Sequence, residues 1–163
     1  FNRDYRVRDA KGNIIIRGTS VWALIDTKTR ELRRSSLIDL NYPPFIEEHA
    51  LDYKFVKLKP FGQPEVVYRK VIGYSDVDFN GHINNTRYID YIMDCFPVDG
   101  HKQYRIRAVE VNYIKETFPG DTLVMYKDIS ELDSNRIYIE GVNEADGKHA
   151  FKAYIEIAPR ESQ

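Results

Sequence analysis

The stretch Asp76–Pro97 reads D-V-D-F-N-G-H-I-N-N-T-R-Y-I-D-Y-I-M-D-C-F-P. Its first half carries two carboxylates (Asp76, Asp78), three carboxamides (Asn80, Asn84, Asn85) and an imidazole, His82. Carboxylates and imidazoles move protons, and carboxamides donate to an oxygen that gains charge. The second half is apolar at helical spacing. Tyr88, Ile89, Ile92, Met93 and Phe96 fall on one stripe. Asn84 or Asn85 suits the N-cap, and Pro97 stops the helix. Polar side chains therefore sit against the start of a helix that must be buried, where free N–H groups can polarise a carbonyl or hold an anion. Taken singly, each is more simply a turn or cap residue, because Asn and Asp bond to nearby backbone. Their concentration ahead of an apolar helix is what points to a site.

The bulk composition narrows the function classes. The chain has 163 residues, 42% hydrophobic and 30% charged, enough for one domain or two small ones with a real core. The net charge of −1 gives no global field for nucleic acid or a membrane surface. A single cysteine, Cys95, excludes an internal disulfide and a cysteine metal cluster, and suits a reducing compartment. His49, His101 and His149 are scattered without ligand spacing, so neither a metal nor another cofactor is expected. No apolar run reaches transmembrane length and no leader is visible, so the expected location is cytoplasmic.

The elements that must position the polar stretch are mostly strands. Tyr5 and Val7 alternate with Arg6 and Arg8, residues 9–13 are turn chemistry with Gly12, and Ile14–Asp26 reads as one long strand ended by residues 27–30. Pro43, Pro44, Pro60, Pro64 and Gly62 punctuate the next segment. Asn41–Phe45 cannot be regular, and Ile46–Leu51 could hold a helical turn. The reading is of a first unit over 1–40, a linker over 41–65 crossing the surface, and a second unit over 66–163. Val66–Tyr74 leads into the polar stretch and the helix. Strands over 103–115, Thr122–Glu131, Arg136–Asn143 and His149–Ala158 follow. One long helix would cover an antiparallel meander, an α+β arrangement. A faint repeat relates residues 9–22 to 144–157, each a turn with Ala and Gly in register before a strand carrying a cation, Arg17 or Lys152. Two similar hairpins by chance explain it equally. If the repeat is real, the first unit is the tail of a domain whose front half precedes this chain.

D-V-D-F-N-G-H-I-N-N-T-R-Y resembles the signature of acyl-acyl-carrier-protein thioesterases, within the wider 4-hydroxybenzoyl-CoA thioesterase group of hotdog-fold proteins. R-D-Y with G-T-S-V-W and a D-x-x-T-R element at 3–30, and Y-I-K-E-T at 113–117, favour the narrower family. The resemblance covers essentially the whole chain. It implies two hotdog units, each an antiparallel sheet wrapped around one long helix, with the active site in the second. Here the second would be complete and the first would keep only its C-terminal part.

The resemblance further implies hydrolysis of a fatty acyl-acyl-carrier-protein to the free acid, in fatty acid biosynthesis. It carries over Asp78, Asn80, His82 and Glu116 as catalytic residues. Thr117 stands where plant members often have Cys, which excludes a thiol nucleophile there and leaves water. Glu116 is the expected base, with Asp78 orienting the site through Asn80 and His82. His82 is the alternative base, since an imidazole exchanges protons near neutral pH. Asn80 is the expected donor to the thioester oxygen. A strand charge, a turn residue and a capping or core histidine are the plainer readings of Glu116, Asp78 and His82. Asn84, Asn85, Arg87 and Trp22 are the candidate substrate-binding residues.

The acidic carrier protein that the family implies as partner would dock on His101–Arg107 with Arg69, Lys70 and Arg87, unless these are simply solvated. A homodimer is left open. Two alternatives remain: an acyl-CoA thioesterase of the same fold, and a non-catalytic acyl-binding hotdog module.

Overall fold

The computed structural model describes residues 1–26, 28–29, 31–34, 46–79 and 81–160. The chain divides into two compact units, Phe1–Phe55 and Val56–Gln163. In the first, β1 (Asn2–Arg8) and β2 (Ile14–Val21) form an antiparallel hairpin. Its turn is closed by the Asp9 carboxylate, which accepts from the N–H groups of Lys11 and Asn13. The long strand expected over Ile14–Asp26 stops at Val21. Beyond Trp22, β3 (Leu24–Ile25) pairs separately with β4 (Leu32–Arg33). No helical turn forms in the described stretch 46–51, and residues 41–45 lie outside the described residues.

The second unit is a five-stranded antiparallel sheet in the order β5-β7-β8-β9-β6. The strands are β5 (Glu65–Val71), β6 (Tyr104–Tyr113), β7 (Thr122–Asp128), β8 (Arg136–Asn143) and β9 (His149–Pro159). β7, β8 and β9 are the expected meander, and β6 crosses over to pair with β9. Between β5 and β6 comes helix α1 (Asn85–Met93), and then the single turn α2 (Gly100–Gln103), which the sequence did not suggest.

α1 is nine residues, shorter than the long helix expected. It closes at Asp94, whose N–H donates to the carbonyls of Asp90 and Ile92, before Pro97 can act. The buried face continues beyond it and is turned from the expected stripe, with Tyr91 and Cys95 buried and Ile89 and Met93 only partly so. Tyr88, Tyr91, Ile92, Cys95 and Phe96 are buried against Leu123 and Met125 of β7, Ile137 and Ile139 of β8, and Phe151, Ala153 and Ile155 of β9. Those strand residues alternate, as one face of a pleated sheet requires. Gly141 belongs to the same face, and a Cβ there would overlap the buried Phe151 ring. This helix-on-sheet layer is the α+β hotdog arrangement.

The opposite face is covered as well. Residues 56–64, read from the sequence as linker, lie on it as an irregular strap. Leu58 is fully buried, and Phe61 stacks on Tyr154 at 4.9 Å between ring centres. The Arg136 guanidinium lies 4.6 Å from the Phe61 ring centre. Phe61 and Gly62 both donate their N–H to Asp128 Oδ2, at 2.8 and 2.6 Å, and Tyr154 donates its hydroxyl to the Lys59 carbonyl at 2.7 Å. The prolines here break regular structure without preventing burial, because side chains of β7 and β9 satisfy the strap's backbone.

Candidate active site at the start of helix α1

The polar stretch folds as a closed loop ahead of α1. Asp78 donates its N–H to the His82 carbonyl at 2.9 Å, and Gly81 donates to the Asp78 carbonyl at 3.1 Å. Gly81 holds φ +77, a left-handed conformation that favours glycine. Val77 and Ile83 bridge across the loop, and Asn84 donates its N–H to the Asp76 carbonyl at 3.1 Å. Asp76 is buried and structural. Its Oδ2 accepts from Gly73 N–H at 2.8 Å and lies 3.1 Å from Lys70 Nζ. Burial alone would raise its pKa, but the Gly73 N–H and Lys70 outweigh burial and hold it below the ordinary value.

His82 and Glu116 meet. His82 Nδ1 is 3.5 Å from Glu116 Oε1, with both side chains part-exposed, and the imidazole packs edge-on to Phe118 at 5.3 Å. Glu116 arrives from the far side of the sheet by a short segment after β6. That segment is pinned at several points. Ile114 and Lys115 both donate N–H to the Ala150 carbonyl, and Lys115 pairs with Asp146. Phe118 donates its N–H to Asp121 Oδ2 at 2.9 Å. Thr117, only 1% exposed, shares a 2.6 Å hydrogen bond with the Tyr88 hydroxyl of α1. Tyr113 donates in the other direction, to the Asn85 carbonyl at 3.2 Å. Burial pushes both the Tyr88 and Tyr113 phenols above their ordinary pKa, so both stay protonated.

These residues enclose a cavity of about 150 Å³ lined by His82, Ile83, Asn85, Tyr88 and the 113–117 segment. Small-molecule sites typically span about 300–1,000 Å³, so this space suits a reacting head group rather than a long acyl chain.

The other sequence candidates divide. Asp78 is half-buried on the His82 loop and does not line the cavity. Asn80 lies outside the described residues. Asn85 lines the cavity, whereas the Asn84 side chain caps α1, accepting from the Thr86 N–H at 2.9 Å and the Thr86 hydroxyl at 2.8 Å. The Arg87 N–H goes to the Asn84 carbonyl, so the N–H groups of Thr86 and Arg87 are already spoken for. The Arg87 guanidinium serves Asp90 and the Ser75 carbonyl. Trp22 belongs to the first unit, where its indole donates to the Ser20 hydroxyl at 2.8 Å. Sequence reasoning did not single out Tyr88 and Tyr113 as site residues. The signal that could have found them was their place in the stretches quoted for the family resemblance, Tyr88 closing D-V-D-F-N-G-H-I-N-N-T-R-Y and Tyr113 opening Y-I-K-E-T.

Comparison with known proteins follows the same part of the chain. Residues 65–157 match the acyl-ACP thioesterase C-terminal domain family. A chloroplastic palmitoyl-acyl carrier protein thioesterase of Gossypium hirsutum is 27% identical over 161 residues, 93% of this chain and 38% of the relative. A chloroplastic acyl-[acyl-carrier-protein] hydrolase of Cuphea viscosissima is 28% identical over 171 residues, 96% of this chain and 40% of its own. The chain thus spans about two fifths of these relatives. Among solved structures, an acyl-ACP thioesterase from Bacteroides thetaiotaomicron superposes with a TM-score of 0.75 at 30% identity, covering 96% of this chain and 62% of the other. A 12:0-ACP thioesterase from Umbellularia californica reaches a TM-score of 0.82 at 24% identity, covering 98% and 62%, a likeness of fold.

Proposed function

We propose, since the chain belongs to the acyl-ACP thioesterase family, that it hydrolyses the thioester of a fatty acyl carrier protein, with His82 and Glu116 as the working pair. The observation that carries this reading is the 3.5 Å approach of His82 and Glu116 at the edge of the cavity. Two proton-transferring groups from separate segments face one space large enough for a thioester head group. That is the arrangement general acid–base hydrolysis needs.

In the proposed reaction, Glu116 accepts a proton from water as the water oxygen bonds to the thioester carbonyl carbon. The carbonyl electron pair moves to oxygen, and Asn80 donates to that oxyanion. Collapse restores the carbonyl, breaks the C–S bond and releases the thiolate. The thiolate then recovers the proton through the His82–Glu116 pair, giving free acid and thiol. Asp78 steadies His82 through the loop they share. Thr117 is not the nucleophile in this scheme, because its hydroxyl is buried against Tyr88. The cytoplasm as location belongs to the same proposal and rests on the single cysteine, which suits a reducing compartment; the curated relatives are chloroplastic.

A second reading, hydrolysis of acyl-CoA by the same residues, draws on the same surface cations. Arg69 pairs with Glu144, Lys70 with Asp76, Arg87 with Asp90, Lys102 with Asp99 and Arg107 with Glu156. Most of these pairs are exposed and weak, so their cations stay open to either anion, an acidic carrier protein or the phosphates of CoA. Steady-state hydrolysis of matched acyl-carrier-protein and acyl-CoA thioesters, run on wild type and Glu116→Gln, separates the readings. The expected result is higher kcat/KM on the carrier-protein substrate, with kcat falling on the order of 10²-fold in the variant. Equal or better turnover of the CoA ester would favour the second reading, and binding without turnover by wild type would leave a non-catalytic acyl-binding module.

A further inference from the structure

We infer that Tyr88 is a positioning residue, whose hydroxyl, through Thr117, holds Glu116 against His82. The inference rests on the thioesterase reading above and adds to it the device that sets the distance between its two working groups.

His82 and Glu116 come from segments that share no strand pairing, and both side chains are part-exposed, so their own contact is too weak to fix their separation. Something buried must do so. The Tyr88 hydroxyl and Thr117 Oγ1 are 2.6 Å apart between residues 4% and 1% exposed. A buried hydroxyl pair at that distance is a strong, directional tie. It joins the fourth residue of α1 to the residue next to Glu116. The Tyr113–Asn85 bond runs the opposite way, from the end of β6 to the helix start three residues after His82. The two phenol rings lie 5.6 Å apart, so the ties brace one another. Phenylalanine would fill the same apolar volume at Tyr88. The hydroxyl adds only its ties to Thr117, one to Oγ1 and one to the backbone N–H, and its loss takes the Tyr88 partner from a buried Thr117 hydroxyl. Displacing a catalytic group by about 1 Å can cost roughly 10²-fold in rate.

The test uses Tyr88→Phe, Thr117→Val, their double variant and Thr117→Ser in the full chain, comparing kcat and KM with amide hydrogen exchange. The expected result is a 10- to 100-fold loss of kcat in each of the first two, with KM within about threefold. The double variant should be no slower than Tyr88→Phe, since that change already removes both ties to Thr117. Thr117→Ser should recover most of the loss suffered by Thr117→Val. Exchange at amides 114–118 should quicken about tenfold in Tyr88→Phe while β7–β9 stay protected. Unchanged kcat in both single variants, losses that multiply in the double, or a change confined to KM would overturn the inference. If wild type hydrolyses no thioester, the functional reading fails separately. Exchange at 114–118 then decides the tie alone, and unaltered exchange in both single variants overturns it.

Discussion

At the scale of single residues, the polar stretch separates into groups that build and groups that are placed to react. Asp76 and Asn84 build. Asp76 ties β5 to the loop, and the Asn84 carboxamide accepts from both the N–H and the hydroxyl of Thr86. An Asn at the N-cap is worth about 1 kcal/mol over Ala. Asn84→Ala is therefore expected to lower unfolding free energy by about 1 kcal/mol, with Asn84→Asp within a few tenths of wild type. Urea denaturation checks this. An Ala variant as stable as wild type would mean that the cap carries no weight and would return Asn84 to the substrate candidates. The sequence stripe showed this residue's position at the helix start. It could not show that the side chain was already committed, because capping and ligand contact use the same atoms.

At the scale of elements, β8 runs over the expected Arg136–Asn143, with Ile137 and Ile139 on the core face at period 2. The strap over 56–64 was not legible, because a segment held by side chains of other strands has no period of its own. Its anchor, Asp128, offers a pH test. Burial would raise the Asp128 carboxyl. Ser130 and the N–H groups of Gly62, Ser130 and Phe61 outweigh burial and hold it below the ordinary value of 3.8. A folded-state pKa lower than the unfolded one contributes stability that is full above the unfolded value and is lost as pH falls through the folded value. Asp128→Asn is expected to lower unfolding free energy at pH 7 by about 1–3 kcal/mol. The gap to wild type should narrow as pH drops below about 4. Urea midpoints at pH 7, 5 and 3 measure it, and a gap that widens on acidification would contradict the assignment.

At the scale of the whole molecule, the second unit carries the fold and the candidate chemistry. The helix-on-sheet layer was legible from one amphipathic helix set among strands, and its hotdog identity and the catalytic candidates from their likeness to one family. What no local pattern could carry was the meeting of His82 and Glu116, 34 positions apart, since it depends on how β6 leaves the sheet beside β9. The brace between Tyr88 and Thr117 was hidden for the same reason. Its partners are an apolar-stripe residue and a residue first weighed only as a missing thiol. The cations suggested as a docking stripe looked available in sequence, and the fold gives most of them carboxylate partners, one helical turn away for Arg87 and Lys102 and on other segments for Arg69, Lys70 and Arg107.

The central claim is that His82 and Glu116 act as one unit on one thioester. The most direct measurement is kcat for His82→Gln, Glu116→Gln and the double variant on the carrier-protein substrate. Groups that act together lose their contribution once. Each single variant should lose on the order of 10²-fold, and the double should be no more than severalfold below the worse single. Losses that multiply, or a single variant that keeps wild-type turnover, would contradict it.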